Sequence, residues 1–73
     1  MRRYTVVVFK EDGAYTVRVP APPGCHTWGS TFDGALANAR EAIELYLSVL
    51  RDEGEPIPAD VDAPTVTSVE VAA

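Results

Sequence analysis

Cys25, His26 and Trp28 lie within four residues of one another and are the chain's single cysteine, histidine and tryptophan. A thiol beside an imidazole invites two chemistries: a thiolate nucleophile activated by a base, or a pair of metal ligands. One cysteine and one histidine supply too few ligands for a four-coordinate zinc site within one chain. A dyad fails on direction, because consecutive residues on a strand point to opposite faces. Cys25 is therefore expected as a small apolar plug under a helix, and His26 as a surface or interface residue. Trp28 shares the face of His26. Core packing and a place at an interface both stay open for it.

The segments that position these residues can be read from periodicity. Tyr4–Phe9, "YTVVVF", is rich in β-branched and aromatic residues and predicts a strand. Tyr4, Val6 and Val8 fall on one of its faces, Val7 and Phe9 on the other. Asp12-Gly13 predicts a hairpin turn. Tyr15–Val19 alternates, with Tyr15, Val17 and Val19 inward and Thr16 and Arg18 outward. Pro22, Pro23 and Gly24 turn the chain into a short third strand, Cys25–Gly29, and Gly29 allows a tight passage onward.

Phe32, Leu36, Ala39, Ile43, Tyr46, Leu47 and Leu50 recur at spacings of three and four and predict one amphipathic helix. Ser30 or Thr31 caps its start, Asp33 suits the positive end of its dipole, and Gly54 stops it. Thr65–Val71, "TVTSVEV", predicts a returning strand. The expected fold class is α+β, in the order β-β-β-α-β: one antiparallel-dominated sheet in a single domain, residues 1–73, with one long helix across one face. The other face keeps Val7 and Phe9, so a second copy of the chain or a partner is expected to cover it.

The formal net charge of −5, from six Lys and Arg against eleven Asp and Glu, favours a basic partner. A basic stripe of the kind that neutralises phosphates is missing, so DNA binding is not expected. No apolar run approaches the roughly 20 residues that cross a bilayer, and the N-terminal segment becomes charged too early for a signal peptide. A cytoplasmic protein with no membrane association, no metal and no cofactor is expected.

Four stretches in this order carry a resemblance. They are "EDGAYTVRVP"; the segment Pro20, Pro23, Gly24, Cys25, Thr27, Gly29; the helix pattern Ala35, Asn38, Ala39 and Glu41–Leu47; and "DEGEPIP" at Asp52–Pro58. Together they resemble the N-terminal domain of the HicB family of antitoxins. The resemblance implies a partial ribonuclease-H-like fold and a role in neutralising a small basic HicA-type ribonuclease by occluding its active surface. Family members usually carry a C-terminal DNA-binding domain, and the expectation for this sequence is that it lacks one. The resemblance also leaves room for a solitary oligomeric HicB-like domain serving another partner.

A nuclease is disfavoured. That chemistry needs carboxylates converging on ions about 4 Å apart. An essential acid sits within the first strand of the fold, yet Thr5–Phe9 holds none. A non-enzymatic, protein-binding homodimer or higher homo-oligomer is the expectation. Val7, Phe9, Arg18, His26 and Trp28 are its candidate interface.

Overall fold

The computed structural model describes residues 2–21 and 25–73. The expected turn at Pro22, Pro23 and Gly24 lies outside them. Three strands, β1 (Val7–Glu11), β2 (Ala14–Arg18) and β3 (His26–Gly29), precede one helix, α1 (Phe32–Asp52). The strands form an antiparallel sheet in the order β1-β2-β3. Asp12 and Gly13 join β1 to β2 with φ of 49° and 79°. Positive φ at both central residues twists the turn to match the strands it joins.

β1 begins later than the periodicity predicts. Tyr4 and Thr5 are drawn out of the ladder by the segment that follows α1. The Tyr4 hydroxyl donates to the carbonyl of Pro58. Asp60 accepts from the Thr5 backbone N–H at 2.9 Å and from the Thr5 hydroxyl at 2.7 Å, and also from its neighbour Val61 N–H at 2.8 Å. β2 ends at Arg18, opposite Val7, and Pro20 beyond it has no N–H to offer a ladder.

These three donors hold the Asp60 carboxyl below the ordinary aspartate value of 3.8, the Thr5 hydroxyl contributing most. The sign follows from which form is bonded. Only the carboxylate accepts all three, so the clamp is complete above 3.8 and is lost as pH falls through the lowered value. Protection of the Thr5 and Val61 amides, measured against their intrinsic exchange rates, should stay high at neutral pH and fall only in acid below the usual carboxylate range. Fast exchange at both residues at pH 7 would show that the clamp is not populated.

At its start, α1 is capped by Thr31, whose side chain accepts from Gly34 N–H at 3.0 Å. Its end is a left-handed stop: Gly54 has φ 72°, Gly54 N–H reaches Arg51 O and Glu55 N–H reaches Leu50 O. That pair of bonds satisfies carbonyls the last turn would leave orphaned. Thr31→Ala should destabilise the fold by about 1 kcal/mol, read from a denaturant midpoint; a midpoint unmoved by the change would rule the cap out as a contributor.

The helix contact line keeps Ala39 and Ile43 of the predicted stripe and differs from it at the first turn. Ala35, Ala39 and Ile43 are buried, while Phe32 stays half exposed and meets Tyr15 edge-on at 5.9 Å. The cause is close approach. Gly29 sits so near the first turn that an added Cβ would lie 2.5 Å from Ala35 N. At that spacing small side chains must face the sheet. Val17, Ala35 and Ala39 form the core, with Val6, Val8 and Tyr15 packed against it.

α1 rests on β3 and β2 and not on β1. A groove is left between the helix and residues 2–6, floored by Val6, Leu36 and Leu47. The predicted strand at Thr65–Val71 does not form. Among the described residues, 62–73 carry no strand and are exposed. β-branched residues make a strand only where a neighbouring strand supplies hydrogen bonds, and none lies beside them here.

Candidate functional site: the open face of the sheet

The helix covers one face of the sheet, and strand alternation sets what faces the other way. Pairing places Val7 opposite Arg18 and Arg18 opposite His26, one row across three strands. Phe9, Thr16 and Trp28 form the next row. All five candidate residues, Val7, Phe9, Arg18, His26 and Trp28, therefore share the helix-free face. Trp28 is 63% exposed and Phe9 43%. The choice left open for Trp28 resolves to the surface: it is not a core residue of this chain.

A shallow cleft of about 400 Å³ runs along the first row, between Val7, Phe9, Arg18 and His26. Pro20 and Cys25 close its end. Cys25 departs from expectation. It is half-buried and lines this cleft instead of plugging the space under the helix. β3 starts at His26, so Cys25 precedes the ladder, and its carbonyl accepts from Val19 N–H at 3.0 Å.

Chemically the face is an apolar, aromatic surface with one guanidinium and one imidazole. Desolvating Trp and Phe while Arg keeps a directional donor fork is the composition of interface centres. Among the described residues, no group of three His, Cys, Asp or Glu side chains is placed to hold a metal ion. No helix there is long and apolar enough to cross a membrane.

Two supports of this face escaped the sequence reading. Asn38, on the exposed flank of α1, donates its side-chain amide to the Trp28 carbonyl at 2.9 Å. The bond ties the tryptophan's strand to the helix behind it. Asn38 was visible only as part of a pattern, and nothing local says which carbonyl it meets. The second support is the Asp60 clamp described above. Its sole local trace is the short Asp-x-Asp segment in "PADVDAP", where Asp60 accepts from the N–H of the next residue, Val61.

A sequence model described as "HicB_like antitoxin of bacterial toxin-antitoxin system" matches residues 4–70. The chain belongs to the HicB-like antitoxin family. It is 51% identical over 59 residues to the UPF0150 protein Ta0767 of Thermoplasma acidophilum, covering 80% of this chain and 86% of that one. A UPF0150 protein of Archaeoglobus fulgidus is 44% identical over 62 residues, covering 81% and 90%. Among solved structures, the N-terminal domain of the Burkholderia pseudomallei antitoxin HicB superposes with a TM-score of 0.65 at 40% identity. That match covers 88% of this chain and 69% of the other. The HicB-like family thus accounts for the three-stranded sheet followed by one long helix.

Proposed function

We propose that this HicB-like chain is an antitoxin that neutralises a small basic HicA-type ribonuclease in the cytoplasm by seating its open sheet face over the toxin's active surface. The observation that carries the reading is Trp28, 63% exposed beside Phe9 on the face that the chain's own helix leaves bare. A solvent-facing tryptophan with an aromatic neighbour and an arginine one row away has the make-up of a binding hot spot. Membership of an antitoxin family supplies the class of partner. The net charge of −5 favours a basic one. Neutralisation by covering needs no bond-making step from this chain.

The test is inhibition of RNA cleavage by a purified HicA-type ribonuclease. Stoichiometric addition of the chain should abolish cleavage, and the association rate should fall as salt is raised. Cleavage that continues under an excess of the chain would instead favour an oligomeric domain with another partner. Metal-dependent cleavage of RNA by the chain alone, removed by a chelator, would overturn the binding-module reading.

A further inference from the structure

The segment that follows the Asp60 clamp has no place to bury its side chains. Val66, Val69 and Val71 are 89%, 82% and 81% exposed. The consequences are visible in the whole molecule. Its accessible surface is 5916 Å², whereas a compact protein of this mass exposes about 4,400 Å². Its radius of gyration is 14.3 Å, against about 11 Å for a compact chain of this length. A segment with strand-forming residues is projecting into water.

The same molecule holds a vacancy of matching chemistry. β1 is an edge strand, with β2 on one side only. Just before its first residue, between α1 and residues 2–6, lies the groove of about 650 Å³. The apolar floor is rimmed by Arg2, Arg3, Arg40 and Glu44, an excess of cations in an acidic protein. Residues 62–73 carry Asp62 and Glu70 and no cation. A strand laid along β1 would gain ladder hydrogen bonds from its edge and place alternate side chains in the groove.

Within one copy the tail leaves its valines in water, and the bend that leads to it is unusual. Asp60 holds the arm beside Thr5, but Ala63 then takes φ 42°, directly before Pro64. A left-handed alanine before a proline is a strained bend. Strained, short hinges favour exchange of the segment beyond them between copies.

We infer that Thr65–Val71 is a donated strand: in a two-fold dimer each copy lays this segment along β1 of the other, over the groove beside α1. The donated strand restores in trans the β-β-β-α-β order that one chain does not complete. It occupies the sheet edge and the helix side, so the open face with Trp28 stays free for another protein.

Sedimentation velocity and amide exchange on the full chain at micromolar concentrations test this. The chain should sediment as a dimer, with exchange of residues 65–71 slowing as concentration rises. Val66→Lys with Val69→Lys should raise the dimer dissociation constant by about tenfold or more and abolish that slowing, because an ammonium must be desolvated in a groove already rimmed by arginines. The helical circular dichroism should be unchanged, since both valines are exposed in the single chain. A monomer with fast exchange at 65–71 would overturn the inference. So would a monomer with slow exchange there, which means the tail folds back on its own chain. A dimer whose constant ignores the double substitution would overturn it equally.

Discussion

Gly29→Ala is expected to lower the melting temperature by about 5–20 °C. The added Cβ would lie 2.5 Å from Ala35 N, 2.8 Å from Ala35 Cα and 2.9 Å from Gly34 C. All three are backbone atoms of the helix's first turn, so no side-chain rotation relieves the clash. The helix must move off the sheet, opening the contact that buries Ala35 and Ala39. Overpacking of this kind costs about 1–3 kcal/mol and sometimes more. A chain of this size has only about 4–11 kcal/mol in total. For a small domain each kcal/mol is worth about 4–8 °C.

Gly13→Ala is the control. It has φ 79° but no atom within 4 Å of the new Cβ, so it meets backbone strain alone. That strain costs about 1–2 kcal/mol. Thermal melts followed at 222 nm separate the two. A Gly29→Ala protein no less stable than Gly13→Ala would mean that the helix does not approach β3 so closely.

Trp28→Glu is expected to weaken binding of a HicA-type ribonuclease by about 30-fold or more while leaving the melting temperature nearly unchanged. Truncating a central tryptophan at an interface costs about 2 kcal/mol or more, and a buried carboxylate in its place adds desolvation. The free chain loses little, because Trp28 is already 63% exposed. Its backbone carbonyl still accepts from Asn38, so β3 keeps its tie to the helix. Titration calorimetry beside a thermal melt reads both quantities. Equal affinity for the wild-type and substituted chains would remove the open face from the binding surface. A large fall in melting temperature would show instead that Trp28 supports the fold.

What the amino-acid sequence alone determines here is local in its physics. The hairpin follows from Asp12-Gly13 because few residues tolerate positive φ. The helix limits follow from Ser30 or Thr31, of which Thr31 is the cap, and from Gly54, because the first N–H groups and last carbonyls need partners close in sequence. The shared outward face of Val7, Phe9, Arg18, His26 and Trp28 follows from two-residue alternation together with antiparallel pairing.

What needed the tertiary structure were contacts between residues far apart in the chain. Tyr4 and Thr5 read as strand, yet Pro58 and Asp60, more than fifty positions later, take their donors. Phe32 fits the apolar period of the helix, but the bare backbone of Gly29 sets the approach and turns Ala35 inward. Thr65–Val71 has the composition of a strand and none of its hydrogen bonds within one copy. Propensity belongs to the residues themselves; a ladder belongs to whichever edge they meet, and that edge is chosen in three dimensions.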